Sequence, residues 1–251
     1  MDTALKEKFL ILWRKYFKNA ELPITFFYSN GDGGAKRAVP SKVNRCLICE
    51  LSKIRKGESL AYNEVALPCG GAKRYLGFTE KMRPGFEYFL SCGNAEIEGE
   101  RYIRTPEMVS EIMKNHEKLS PPGENIVFKR WDNLTREDSP DVVIFFAIPD
   151  VLSGLFTLAN FDQTEPNGTF TPFGAGCGSI VHYPYHEIKS QRPRAVIGMF
   201  DPSARPCVPG NVLTFALPML RFEKMINYME ESFLVTETWK AVMKRMEKTI
   251  K

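Results

Sequence analysis

The sequence predicts an α/β protein, with α+β mixed character, in which helices flank a mixed sheet and a structural unit is internally duplicated. Two short apolar runs, 23–28 and 142–147, have the length and the β-branched and aromatic content of buried strands. Each run leads to a proline, and apolar residues recur at helical spacing after that proline. These paired signals predict the beginnings of two related halves.

The two halves continue in the same order, which predicts a duplicated strand–helix–Cys/Gly turn–strand–helix unit. In the first half the predicted helix, turn, strand and proline-started second helix are 41–55, 69–70, 86–92 and the segment from Pro106. In the second half they are 150–160, 177–178, 194–200 and the segment from Pro218.

We expect the chain, 1–251, to form one globular domain built from halves at 20–119 and 140–231. A polar, charged stretch at 120–140 is predicted to connect the halves. Residues 235–251 predict a C-terminal helix. An amphipathic helix is also predicted at the start of the chain, from the spacing of Leu5, Phe9, Leu12 and Tyr16.

Charge and hydropathy narrow the classes of protein. The 34 Lys and Arg residues exceed the 30 Asp and Glu residues by 34 − 30 = 4, a positive charge too weak to indicate a nucleic-acid partner. The longest apolar run, 142–148, is too short to span a membrane. Charged residues interrupt the first apolar stretch, so we expect no signal peptide at the start of this sequence. We therefore expect a cytoplasmic protein whose six cysteines are thiols or metal ligands rather than disulfides.

The paired Cys-Gly turns are the first candidate site. Cys69 and Cys177 each stand where a glycine-containing turn opens a short predicted helix. Free N–H groups there favour the thiolate, which attacks electrophiles and binds metals, and Lys73 and Arg74 add positive charge beside Cys69. The alternative is that the glycines serve tight turns and the cysteines fill small gaps in the core.

Cys46 joins Cys69 and Cys177 as a candidate metal ligand. Three converging thiolates would select zinc or an iron–sulfur cluster. Cys46 and Cys49 form a CxxC pair, but it lies inside a predicted helix, and their counterparts in the second half are leucines. Core packing is therefore the alternative for both.

His182 offers a second kind of chemistry, as a base beside a Cys177 nucleophile. His182 and His186 are four residues apart, a spacing that suits metal binding on a helix. Pro184 lies between them and is expected to interrupt a regular helix. A packed or surface role is the alternative for both histidines.

The pentapeptide Gly-Gly-Ala-Lys-Arg occurs twice, at 33–37 and at 70–74. Backbone N–H groups of glycine-rich turns, with Lys and Arg nearby, can cradle an anionic group. The candidate residues for an anionic metabolite or cofactor are Gly70, Gly71, Lys73, Arg74, Gly176 and Gly178. For the first copy, a flexible solvated loop is the alternative.

The same segments resemble a family of bacterial and archaeal proteins catalogued as domain of unknown function one hundred and sixty-nine. The resemblance rests on Arg45-Cys46, on the stretch 69–78 from Cys69-Gly70 to Gly77-Phe78, on Cys177 with Pro184, and on 195–218. It implies a cytoplasmic protein without an assigned activity. Cys46, Cys69 and Cys177 are the cysteines that match the family pattern.

Three hypotheses follow for the function. The first is a metal or iron–sulfur protein that uses the Cys-Gly turns where the halves meet. The second is a module that binds an anionic small molecule on the basic glycine-rich turns. The third is a thiol-dependent enzyme with Cys177 or Cys69 as nucleophile. The sequence leaves the reaction, the substrate, the strand order and the oligomeric state open.

Overall fold

The structure is a computed structural model that describes residues 1–40 and 42–249, the last of these through its backbone alone. Within these residues, strands form one mixed sheet in the order β2-β3-β4-β1-β5-β8-β7-β6. The strands are β1 (Ile24–Ser29), β2 (Lys36–Arg37), β3 (Leu60–Tyr62), β4 (Asn125–Arg130), β5 (Val142–Ala147), β6 (Thr169–Phe170), β7 (Ala195–Gly198) and β8 (Leu213–Pro218). Helices flank the sheet, so the predicted fold class is confirmed.

The helices occupy both faces of the sheet. They are α1 (Thr3–Tyr16), α2 (Leu47–Arg55), α3 (Gly70–Tyr75), α4 (Phe86–Leu90), α5 (Pro106–Asn115), α6 (Pro149–Asn160), α7 (Tyr183–His186), α8 (Met219–Tyr228) and α9 (Glu237–Thr249). A π-helical turn, Gly178–His182, runs directly into α7. No helix in the described ranges is long and apolar enough to cross a membrane.

Strand β5 shows why its sequence is apolar throughout. Successive side chains of a strand point to opposite faces of the sheet. Val143 and Phe145 enter a core formed with α1, α6, α8 and α9. Val142 and Ile144 enter a second core, formed with α2, α3 and the segment around Cys177. Because both faces are covered, every position of β5 is buried.

The two halves of the sheet have the same internal strand order. From the edge of the sheet to its centre, the first half runs β2-β3-β4-β1 and the second half runs β6-β7-β8-β5. β1 and β5 meet at the centre as antiparallel neighbours, with Ile24 opposite Ile144. The outermost pairs, β2 with β3 and β6 with β7, are parallel, and the remaining pairs are antiparallel. The two predicted halves therefore share one sheet, and their common origin stays a prediction.

Two parts of the predicted unit are wrong. Residues 86–90 form α4 rather than a strand, and Gly85 begins this helix with a left-handed φ of 73°. The 120–140 stretch is not merely a connection, because it contains β4, which lies between β3 and β1. Its apolar residues are only Ile126, Val127 and Phe128. Polar residues flank this short run, so the sequence does not indicate a strand there.

The predicted helices are mostly confirmed, with one shifted start. The first and last helices form as expected, and the Thr236 hydroxyl accepts a hydrogen bond from the Trp239 N–H at the start of α9. Residues 250–251 of that prediction lie outside the described residues. The predicted helix at 41–55 begins only at Leu47, and position 41 also lies outside the described residues.

Candidate functional site

The structure gathers Cys46, Cys69 and Cys177 on the face of the sheet that carries α2 and α3. Each directly precedes a helical segment: Cys46 precedes α2, Cys69 precedes α3, and Cys177 precedes the π-helical turn. Cys177 belongs to the buried core of this face, and the other two cysteines pack against that core.

Backbone contacts bring these three positions together. The N–H of Arg45 donates to the carbonyl oxygen of Pro68 at 3.3 Å, so the residues before Cys46 and Cys69 are joined. On the other side, a Cβ placed on Gly176 would lie 3.3 Å from Cγ1 of Ile48 in α2. The chain before Cys177 therefore lies directly against the first turn that follows Cys46.

The electrostatics of the cluster are those of buried thiols. Burial is the main cause that raises the pKa of Cys46, and the nearby Cys69 and Asp201 raise it further. Burial also raises the pKa of Cys177 well above its ordinary value, with contributions from Cys69 and Cys46. The Cys69 sulfur instead accepts a hydrogen bond from the Ala72 N–H at 3.4 Å. Two of the three thiols are therefore protonated at neutral pH unless positive charge is added beside them.

Asp201 ties the loop before Cys177 to the loop after β7. One carboxylate oxygen accepts the N–H of Gly176 at 3.0 Å, and the other accepts the N–H and the hydroxyl of Ser203. Met199, two residues earlier, is buried with a left-handed φ of 72°, which a side chain of this size rarely adopts. The packing around the cysteine cluster holds the backbone in this conformation.

The expectation that the six cysteines are thiols or metal ligands rather than disulfides is wrong for two of them. Cys49 of α2 forms a disulfide with Cys207, in the short 3-10 turn Arg205–Cys207, across 158 positions of sequence. The two residues are brought together because α2 packs against that turn. Cys46, Cys69, Cys92 and Cys177 are free, and Cys92 is exposed at a distance from the fold's core.

No group of three or more histidine, cysteine, aspartate or glutamate side chains is arranged to hold a metal ion, in the part of the chain that the structure describes. The cysteines therefore come together without closing on one point as a zinc site does.

Three histidines form a second cluster beside the first. The rings of His182 and His186 lie 4.5 Å apart between centroids, and the ring of His116 lies 4.2 Å from that of His182. Pro184 takes the second position of α7, directly after the π-helical turn, so the helical segment continues past it without being a regular α-helix. His186 therefore stands on the same side as His182.

These histidines, which are all that the chain contains, line a cavity of about 490 Å³. His116 Nε2, His182 Nδ1 and His186 Nε2 are buried and have no hydrogen-bond partner. Burial lowers the pKa of His182 to about 3, and His116, His186 and Arg74 contribute. Burial likewise lowers the pKa of His116, again with a contribution from Arg74. Both rings are therefore neutral at pH 7.

No hydrogen bond joins Cys177 and His182 among the described residues, and their pairing as nucleophile and base stays a prediction. His182 Nδ1 has no hydrogen-bond partner. Tyr75 packs against His182 on one side and against Gly178, which follows Cys177, on the other. Its ring lies 5.9 Å from that of His182, and burial raises the pKa of its hydroxyl, with a contribution from the nearby Cys177. Tyr75 separates the thiols from the imidazoles.

The two Gly-Gly-Ala-Lys-Arg copies lie in different secondary structures. The first copy, 33–37, ends in the exposed β2, where Arg37 pairs with Asp32 at 3.3 Å. The second copy begins α3, where Gly70 and Gly71 have open space around them. Of its two basic residues, Arg74 lies near the histidines, and Lys73 has no side-chain partner among the described residues. Gly178 packs against Tyr75.

His116 is the member of the histidine cluster that no sequence pattern predicts. It follows α5, and nothing in its local sequence indicates that it meets a helix that begins at 183. The one available signal is scarcity, since the chain has only 3 histidines and two of them are four residues apart.

The fold and these two clusters define an α/β protein that gathers free thiols and neutral imidazoles on one face of a mixed sheet. The DUF169 family, described as uncharacterised ArCR, matches residues 16–228. The chain belongs to this family. No curated protein matches the chain, and no solved structure matches it.

Proposed function

We propose that Cys46, Cys69 and Cys177 hold an iron–sulfur cluster. The observation that carries this proposal is the convergence of three free cysteines, from three separate segments, at one place beneath the sheet. All three match the family pattern, although 177 − 69 = 108 positions separate Cys177 from Cys69. Core packing alone does not require three thiols at one place.

The arrangement of the side chains disfavours a single zinc ion. Zinc draws its ligands to about 2.3 Å from one point, and no group of side chains in the described ranges is arranged around such a point. In an iron–sulfur cluster the cysteines bind different iron atoms, so their sulfurs stand further apart. The zinc alternative is therefore the weaker one.

The protein would stabilise such a cluster by exclusion of water and by charge. A buried thiol gives up its proton when a cation binds it, so iron would overcome the burial that raises the pKa of Cys46 and Cys177. The same burial argues against Cys177 as a free nucleophile, because it keeps the thiol protonated.

The visible spectrum of the full chain, purified without oxygen and without chelator, tests the proposal. We expect broad absorbance that dithionite bleaches, and its loss in Cys46→Ser, Cys69→Ser and Cys177→Ser. Cys92→Ser is the matched control, since Cys92 is a free but exposed cysteine. Protein absorbance alone, even after reconstitution with iron and sulfide, would contradict the proposal.

A further inference from the structure

We propose that the cavity lined by His116, His182 and His186 binds an organic cation, a primary ammonium group on an apolar carbon chain. The cavity lies between α5 and the helical segment that carries the last two histidines. Its volume of about 490 Å³ is that of a small-molecule site. It is separate from the cysteine cluster, and this inference does not depend on the iron–sulfur proposal.

Unsatisfied polar atoms are the first observation behind this proposal. Each of the three imidazoles has a buried ring nitrogen without a hydrogen-bond partner among the described residues. His182, whose ring lines the cavity, is only 2% exposed. A buried polar group without a partner is destabilising, and a ligand that pairs with it removes that cost. Three such nitrogens at one cavity indicate a ligand with several hydrogen-bonding atoms.

The tautomer of His186 shows which kind of hydrogen-bonding group is missing. Glu117 accepts from His186 Nδ1 at 2.9 Å, so the neutral ring carries its proton there and a lone pair at Nε2. A lone pair accepts a hydrogen bond, and the partner that Nε2 lacks is therefore a donor. Burial lowers the pKa of His182 to about 3 and also lowers that of His116, so these rings add no positive charge at pH 7.

Carboxylates supply the charge of the cavity. Glu111 and Glu117 line it, and no lysine or arginine does so in the part of the chain that the structure describes. Arg74 contributes to the lowered pKa of His116 and His182 from outside the lining, and its Nη1 donates to the carbonyl oxygen of Glu80 at 2.9 Å. The cavity therefore attracts a positively charged ligand and repels an anion.

The remaining walls favour an organic cation over a metal ion. No three ligating side chains of the described ranges are arranged around an ion. Met108 and Ile112 of α5 are 46% and 40% exposed and form an apolar wall beside the imidazoles. The ring of Tyr183 also lines the cavity, and aromatic faces attract ammonium groups. A primary ammonium group has three N–H donors for the imidazole and carboxylate acceptors, and its carbon chain packs against α5.

Nuclear magnetic resonance of the imidazole rings tests this inference directly, because all three histidines of the chain line the cavity. The full chain, labelled at histidine with ¹⁵N, is titrated at constant pH with n-butylammonium, n-butanol and butyrate, which carry similar alkyl chains and differ in charge. We expect saturable shifts of the ring signals with n-butylammonium at millimolar concentration and no shifts with butyrate. n-Butanol is expected to bind about tenfold more weakly than n-butylammonium, because it lacks the charge.

Charge variants then locate the binding. Glu111→Gln combined with Glu117→Gln removes both carboxylates, retains a hydrogen-bond acceptor beside His186, and is expected to weaken n-butylammonium binding about tenfold. Glu107→Gln combined with Glu124→Gln removes two exposed carboxylates that do not line the cavity, and is expected to leave the affinity within about twofold. The proposal is overturned if n-butylammonium shifts no ring signal, if butyrate or n-butanol binds as tightly, or if the two double variants weaken binding equally.

Discussion

Tyr75 packs its ring edge against Gly178, so closely that a Cβ at Gly178 would lie 3.0 Å from ring atoms of Tyr75. The contact stands at the boundary between the two clusters. On one side the Tyr75 hydroxyl lies near Cys177, and on the other its ring meets those of His116 and His182 edge to face. Because this contact fixes Tyr75, it keeps the cysteine cluster and the histidine cluster apart.

The Tyr75–Gly178 contact predicts the effect of a single methyl group. Gly178→Ala is expected to lower the free energy of unfolding by about 1 to 3 kcal/mol, because a buried aromatic ring has to move. Gly71→Ala is the control, since a Cβ there meets nothing within 4 Å, and it should be neutral or stabilising by about 0.4 to 1 kcal/mol. Urea unfolding measures both. Equal effects of the two substitutions would show that the contact carries no energy.

The disulfide gives a second prediction. Reduction of Cys49–Cys207, or Cys207→Ser, is expected to lower the free energy of unfolding by about 2 to 4 kcal/mol, because the bond closes a long loop. Cys92→Ser should leave stability nearly unchanged. Alkylation of the unfolded, unreduced chain followed by mass spectrometry checks the bond first, and should find four modified cysteines. Six modified cysteines would mean that the bond does not form.

A buried ion pair gives a third prediction. Lys129 and Asp138 are joined at 2.8 Å with side chains 4% and 3% exposed, and the Asp138 carboxylate also accepts from Thr135. Lys129→Met leaves the carboxylate charge buried and is expected to cost about 3 to 5 kcal/mol.

The exposed pair Lys118–Glu80 supplies the matched control, because its side chains are 70% and 68% exposed. Lys118→Met should cost less than about 1 kcal/mol. Urea midpoints decide the comparison, and similar losses in the two variants would refute the account of the buried pair.

The histidine cluster predicts how stability depends on pH. An unfolded histidine takes up a proton near pH 6.5, whereas buried His182 does so only near pH 3. Between these values the unfolded state binds more protons, so this group's contribution to stability is full above about pH 6.5 and is lost as pH falls towards 3.

His182→Gln should therefore make the loss of stability between pH 6.5 and 4 shallower, as urea midpoints across that range would measure. Asp141 acts in the opposite direction and belongs in the comparison, because burial raises its pKa from 3.8 to about 6. Protonation of Asp141 favours the folded state as pH falls through 6. An Asp141→Asn background removes this contribution, and an unchanged slope for His182→Gln in that background would contradict the burial of a neutral imidazole.

Local pattern was enough to predict much of the fold. The strand β5 and the helix α6 form where their apolar runs and prolines indicate, because those signals lie within a few residues of one another. The sequence does not indicate strand β4, because its apolar run is only three residues long and charged residues follow it. The sequence of α4 predicts a strand because it is short and aromatic. It is too short to show apolar residues at helical spacing.

The candidate site depends on contacts that no local pattern contains. The family likeness selected Cys46, Cys69 and Cys177, but their convergence depends on the way α2, α3 and the Cys177 segment pack on one face of the sheet. The Cys49–Cys207 bond and the meeting of His116 with His182 join residues 158 and 66 positions apart. Such pairs become neighbours only when the sheet order is known.

Iron and acid-labile sulfide per chain test the central claim most directly. They are measured in the wild type after reconstitution without oxygen, beside the single serine variants of Cys46, Cys69, Cys177 and Cys92. We predict both elements in stoichiometric amounts in the wild type and in Cys92→Ser, and their loss in the other three variants. A reconstituted wild type that holds neither element, or an equal content in all four variants, would contradict the claim that the three converging cysteines hold a cluster.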